Sequence, residues 1–527
     1  MKHLLIVVIG ILCTSANGQI DVLNYSHSIT VNDENDTIYG TSFITLEFTE
    51  DCKRFSLDLV GIKNDGRGMK VNEVRIRDKK IKPIYRHEGD KLIIEEEKGK
   101  KGNSLTYVID YKGVPIDGLI IGKNKHGNRT FFGDNWPNRA HNWFPCNDHP
   151  SDKATIGFMV IAPTHYNCVA NGRFIVSNDA PNPVTGKKQS YFQYHSDIPL
   201  PTKVMVIGLA EFSHKTLETP TDKNSFPHAA WVYPEDETAG FSDMSVAVDP
   251  LKFFIDNIGS YPYEKLDHVQ STTRFGGMEN AGCIFYDEDA VDGEGTMENL
   301  IAHEVAHQWF GNSATESDWP HIWLSEGFAT YFTSLHLENK YGRDRMNEQL
   351  VKDRKRVIKF SKSYQTPVID TISTDLMYLL NPNSYQKGCW VLHMLRNKVG
   401  DENFWNGIRN YYDTYKFGNA SSNDFIREME STGKMNLQAF FDQWLRESEH
   451  PLLKVTLEKD IFTIEQKQTG QPFSFPIEIE FTTKEGKKIV KEFEINKRLE
   501  LFKIKDLKGT KSFEIDPNVN LLFEEVN

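Results

Sequence analysis

The 527-residue chain weighs 60.5 kDa, more than one hydrophobic core usually organises, so about two to four domains are expected. Hydrophobic residues at 39% and aromatics at 12% exclude a disordered or fibrous chain. With 61 basic against 74 acidic residues, a net charge of −13 and no long Lys/Arg block, the chain is a poor ligand for nucleic acid and for anionic membranes, and no nucleic-acid partner is expected.

Met1, Lys2 and His3 make a short basic start, the apolar run 4–12 follows, and Ala16-Asn17-Gly18 sets small side chains before a cut ahead of Gln19. This is the pattern of a secretory signal peptide, too short and wrongly flanked for a membrane span. Residues 1–18 are read as that peptide. The mature chain is expected to be exported, periplasmic or secreted, with no membrane span. Cys13 follows the bulky Leu12, which argues against a lipoprotein cysteine. The other cysteines, Cys52, Cys146, Cys168, Cys283 and Cys389, are scattered and form no CxxC pair, which excludes zinc-ribbon and thioredoxin motifs.

Over 19–213 short alternating runs, such as 41–48, 91–95 and 203–208, sit between Gly, Asn and Asp breaks and predict an N-terminal antiparallel β domain. Over 214–450 the apolar spacing lengthens to the helical period, with helix starters such as Asp401 before Phe404-Trp405 and Asn436 before Leu437. Over 451–527 strand texture returns in 453–457, 476–481 and 488–493, and predicts a small C-terminal β-sandwich.

The stretch 297–314 reads MENLIAHEVAHQWFGNSA, and its Leu300, Ile301, Val305 and Phe310 are spaced as on a helix. There His303 and His307 lie one turn apart on one face, where two neutral imidazoles can take adjacent corners of a zinc tetrahedron. Glu304 between them can serve as general base toward water. Alone, HExxH is a moderate signal, and a pair of surface histidines is the plain alternative. The segment 319–331, WPHIWLSEGFATY, lowers the weight of that alternative. It reads as a turn into a second buried helix, with Ser325 as N-cap and Phe328, Tyr331, Phe332 and Leu335 as its apolar stripe. Glu326 follows His307 after an 18-residue spacer, flanked by Leu324 and Phe328. A carboxylate in such surroundings is costly to bury unpaired, and a metal contact accounts for it. An ordinary first-turn Glu favoured by the helix dipole is the alternative. Two His, one Glu and an open fourth position describe catalytic rather than structural zinc.

HEVAHQWFG, WLSEGFATY and the upstream string Gly276-Gly277-Met278-Glu279-Asn280 together resemble the gluzincin aminopeptidases of the aminopeptidase-N and leukotriene-hydrolase type. FPCND at 144–148 with DKAT at 152–155, and SYPYEKLD at 260–267, extend the likeness over most of the chain. The resemblance implies a thermolysin-like α/β catalytic domain between the two β domains. It implies one Zn2+ per chain held by His303, His307 and Glu326, with Glu304 activating water. It implies peptide substrates with a free N-terminus, bound along Gly276, Gly277, Met278, Glu279 and Asn280, with Glu279 taking the α-amino group. In NPNSYQKG at 381–388 it makes Tyr385 the donor to the carbonyl oxygen; alone, a Tyr in the first turn of a helix is more often packing.

The sequence departs from the family in two places. Many relatives have an acidic or amide residue before the Pro-Cys signature that helps hold the amine, and here the neighbourhood reads GDNWP with Asp134 and Trp136. Amine recognition then rests on Glu279 with help from Asp134, or the pocket differs in selectivity. Larger relatives also carry a C-terminal helical domain over the cleft, and this reads as a short form without one. A thermolysin-like endopeptidase shares the zinc residues but has no use for Glu279. A leukotriene-hydrolase-like epoxide hydrolase relies partly on that further domain. A secreted zinc-containing binding protein has no need of Glu304 and Tyr385.

Overall fold

A computed structural model of the chain describes residues 16–526 apart from 81, 184, 221–224, 459–460 and 504–509. Most of the run 1–18 read above as a signal peptide, Cys13 included, lies outside the described residues. The chain divides after Glu211 into two compact units.

The first unit is built on a seven-stranded sheet in the order Arg173–Pro181, Lys188–Pro201, Lys153–Pro163, Ile20–Thr30, Ile38–Phe48, Ser104–Val114, Gly68–Ile76. The strand Lys153–Pro163 shows why: Ala154, Ile156, Phe158, Val160 and Ala162 alternate onto the buried face with no interruption. All its neighbour pairs are antiparallel except Ile20–Thr30 with Lys153–Pro163, which run parallel from Asn24↔Thr155 to Thr30↔Ile161. The stretch 144–148 is a junction in this unit. Cys146 bridges to Asp58, Asn147 N–H donates to the Tyr25 hydroxyl at 2.9 Å, and Thr202 donates to Asp148 at 2.6 Å. Asp134 is fully buried and ion-paired with Arg139 at 2.5 Å, so its charge is met within its own unit.

The second unit opens with a five-stranded sheet in the order Ser213–Thr216, His228–Val232, Leu266–Ser271, Cys283–Asp287, Gly277–Met278. The three inner strands are parallel, and Leu266–Ser271 is buried along its whole length. Among the described residues, six helices of ten or more residues follow it: Glu298–His307, Trp323–Tyr341, Arg343–Ser361, Gly388–Val399, Asp401–Tyr415 and Ser422–Gly433. Their core is aromatic, with Phe310, Phe328, Phe332, Tyr411 and Phe425 ring against ring. The same unit ends in a β-sandwich. Strands Leu499–Lys503, Ile461–Gln466, Leu452–Glu458 and Glu524–Glu525 form one sheet, and Lys488–Ile495, Phe475–Thr483 and Thr510–Ile515 the other. Phe462 of the first sheet meets Phe481 and Phe513 of the second at ring distances of 5.2 and 5.5 Å. Among the described residues no helix is long and apolar enough to cross a membrane.

Candidate metal centre and active site

The helix Glu298–His307 carries His303 and His307 on one face, with Nε2 atoms 3.1 Å apart. Glu326 reaches them from the first turn of Trp323–Tyr341, its Oε2 3.4 Å from His303 Nε2 and 3.3 Å from His307 Nε2. Three donors on a tetrahedron with bonds of about 2.0–2.1 Å stand about 3.3–3.4 Å apart, and this triangle has that size. Two imidazole nitrogens 3.1 Å apart and a carboxylate oxygen thus converge on one point, where either a proton or a cation can be shared between them. The donor set therefore fits a divalent cation with a preference for nitrogen and oxygen. Among the described residues it is the one group of three or more His, Cys, Asp or Glu side chains so arranged.

A second layer of contacts fixes these side chains. His307 Nδ1 donates to the Phe310 carbonyl at 3.1 Å, which turns Nε2 toward the triangle. Ser325 Oγ lies 3.0 Å from the same Nδ1. Ser325 is therefore not the N-cap that its position suggests. The 3-10 turn Trp319–His321 runs through Ile322 straight into the helix, so the helix begins at Trp323 and Ser325 is buried against the ligand.

Glu304 is buried beside the triangle. Burial holds its carboxyl well above the usual range; Glu279 and Glu326 add to this, and His307 opposes it. Burial works against charge on Glu326 as well, yet the His307 and His303 imidazoles hold it below the usual range. His307 is pushed up to about 9, because Glu326 and Glu279 outweigh its burial, while burial keeps His303 low. Three carboxylates thus share the pocket with two imidazoles, and their mutual repulsion is a further reason why it suits a cation.

The GGMEN segment lies against this pocket. Gly277 pairs with Tyr286 across the sheet edge, and an ideal Cβ on it would stand 2.6 Å from the Glu304 carboxyl carbon, so the bare backbone packs directly on Glu304. Gly276 accepts from Asp287 N–H at 3.0 Å, and Met278 and Asn280 are fully buried. Glu279 is buried too, and its carbonyl is held by Gln308 at 3.0 Å and Asn312 at 2.5 Å. Sequence reasoning did not single out Gln308 and Asn312. The available signal was two amide side chains just past the end of the helix that carries His303 and His307.

Tyr385 sits in the π-helical turn Asn383–Lys387, just before Gly388–Val399, with its ring stacked at 6.0 Å and 12° on His303. Burial, followed by Glu326, Glu279 and Glu304, pushes its phenol well up, so it keeps its proton as a donor near neutral pH. The turn reaches the site because two helices cross glycine to glycine: an ideal Cβ on Gly388 would stand 3.0 Å from Gly327 Cα. All ten predicted site residues thus lie in the second unit. His303, His307 and Glu326 form the donor triangle, Glu304 is buried beside it, and Gly277 and Tyr385 touch Glu304 and His303 respectively.

This fold thus carries a donor set of the metal-holding type between two of its helices. The Peptidase family M1 domain matches residues 243–444 and the Peptidase M1 N-terminal domain matches 22–202, and the chain belongs to the M1 peptidase family. Bovine glutamyl aminopeptidase is 27% identical over 343 residues, covering 62% of this chain and 35% of that protein. The tricorn protease-interacting factor F2 of Thermoplasma acidophilum is 25% identical over 483 residues, 85% of this chain and 59% of that protein. The chain thus spans about a third of the bovine relative's length. A crystal structure of an M1 zinc metallopeptidase from Deinococcus radiodurans shares the fold with a TM-score of 0.70 at 22% identity, covering 82% of this chain and 96% of that one. Membership of this family implies zinc.

Proposed function

We propose that the protein is a zinc aminopeptidase that releases N-terminal residues from peptides, with one zinc per chain held by His303, His307 and Glu326. The observation that carries this reading is the donor triangle with Glu304 buried beside it and Tyr385 stacked on one of its histidines. Bound zinc would supply Lewis acidity toward the scissile carbonyl and make water a better nucleophile near neutral pH. Glu304 takes the proton from the attacking water and returns it to the departing amine. Tyr385 donates to the oxygen that becomes negative as the carbonyl is attacked. Glu279 binds the substrate α-ammonium, and an ammonium fixed there presents only the first peptide bond to the base. The relatives' names make an N-terminal glutamyl residue one side chain to try; export after removal of residues 1–18 is part of the same proposal.

The test is hydrolysis of alanyl, leucyl and glutamyl arylamides beside their N-acetylated twins, with and without a zinc chelator. Chelator-sensitive cleavage of free-amine substrates alone is the expected result. Cleavage of the blocked twins would replace this reading with an endopeptidase, and no cleavage of any substrate by zinc-loaded protein would leave a binding protein. Glu304→Gln should retain zinc by metal analysis yet lose activity by about a thousandfold or more; full activity in that variant would remove Glu304 from the mechanism.

A further inference from the structure

Lys387, in the same YQKG string as Tyr385, has no part in the chemistry above, yet it is almost fully buried, at 1% exposure. Its ammonium has three N–H donors, and three consecutive carbonyls meet them: Glu447 at 2.9 Å, Ser448 at 3.4 Å and Glu449 at 3.1 Å. Those carbonyls lie just past the π-helical turn Asp442–Arg446, where a helical end leaves acceptors without intrahelical partners. The lysine backbone is tied as well, since its N–H donates to the Pro382 carbonyl at 2.8 Å across the turn that holds Tyr385. At the other end of that turn, Ser384 Oγ donates to the Leu379 carbonyl at 2.6 Å. Burial pulls the Lys387 ammonium down to about 7, and the Glu447 and Glu449 carboxylates work against that shift.

We infer that Lys387 is a positioning residue for Tyr385. Its ammonium clasps the backbone at 447–449 and so fixes the π-helical turn that presents the phenol beside His303. A π-turn is a strained single turn, commonly kept at functional sites, and here the side chain at its end is anchored about sixty residues away along the chain. The inference rests on the role proposed above for Tyr385. If it holds, loss of the clasp damages turnover through Tyr385 and through little else.

The experiment is a double-mutant cycle on an alanyl arylamide with wild type, Lys387→Met, Tyr385→Phe and the double variant, each checked for zinc content. Lys387→Met should lower kcat about tenfold or more with KM within about threefold, because misplacement of a catalytic group by an ångström costs on that scale. On the Tyr385→Phe background the same change should cost less than about threefold. An equal factor in both backgrounds, or an unchanged kcat in the single variant, would overturn the inference. If Lys387→Met does not fold, Lys387→Gln, which keeps two N–H donors on a shorter arm, takes its place in the cycle; a smaller loss of kcat confined to the background that keeps Tyr385 is then expected, and an equal factor in both backgrounds is the contrary result. An inactive wild type would defeat the aminopeptidase reading and not the clasp. A crystal structure of Lys387→Met would then decide, with Tyr385 displaced from its stack on His303 as the expected result and an unmoved ring as the contrary one.

Discussion

Tyr385 shows what a single side chain contributes here. Its phenol is raised by burial and by the carboxylates of Glu326, Glu279 and Glu304, so a proton is present to donate and hard to lose. Tyr385→Phe removes only that donor and leaves the ring stacked on His303. The expected outcome is a kcat lower by about a hundred- to a thousandfold, with KM and zinc content little changed. A kcat within a few-fold of wild type would move the oxyanion donor elsewhere. His303, Glu304 and His307 were legible in the sequence because they lie along one helix, where a spacing of four is also a spatial fact, whereas Glu326, on a second helix, stood out by its apolar flanks. Tyr385 was legible only through family resemblance. Lys387 and Ser325 were not legible as anchors, since their partners, the carbonyls of 447–449 and the His307 ring, lie far away along the chain.

Elements reach the site by close approach, and the crossing of Trp323–Tyr341 with the turn ahead of Gly388–Val399 is one such approach. A Cβ on Gly388 would meet the Gly327 backbone at 3.0 Å and the Trp323 Cβ at 3.5 Å, and backbone cannot yield as a flexible side chain can. Gly388→Ala should therefore push Tyr385 away from Glu326 rather than disturb the donor triangle. Zinc content should hold while kcat falls about ten- to a hundredfold. Loss of zinc in that variant would show that the strain had moved Glu326 instead. Element types were readable where one face was buried, as in Lys153–Pro163 with its unbroken alternation. They were unreadable in Leu266–Ser271, buried on both faces and so without a period, which hid the parallel strands of the catalytic sheet within a region that read as helical. The parallel pairing of Ile20–Thr30 with Lys153–Pro163 was also out of reach, because alternation is the same whichever way a neighbour runs.

At the scale of the second unit, a buried cation, Arg354, is among the contacts that tie the C-terminal sandwich to the helices. Arg354, on Arg343–Ser361, donates to Asp516 at 2.5 Å and to the Leu521 carbonyl at 2.6 Å, with its guanidinium 4.9 Å from the Trp390 ring centroid and 4.7 Å from that of Phe523. Asp516 in turn accepts from the backbone of Asn520 at 2.7 Å and Leu521 at 3.3 Å, so the pair orders the last segment of the chain as well as joining two modules. The side chains are 15% and 1% exposed, which puts the pair in the class where loss of one partner is worse than loss of both. Arg354→Met strands a buried carboxylate. It should destabilise the unit by about 3–5 kcal/mol, seen as a lower unfolding midpoint and faster proteolysis within 451–527. Adding Asp516→Leu should restore much of that loss, because burying two apolar side chains in place of an ion pair is often neutral or better. If the double variant is no more stable than Arg354→Met alone, the stacking of the guanidinium between Trp390 and Phe523, rather than its charge, is what holds the sandwich in place.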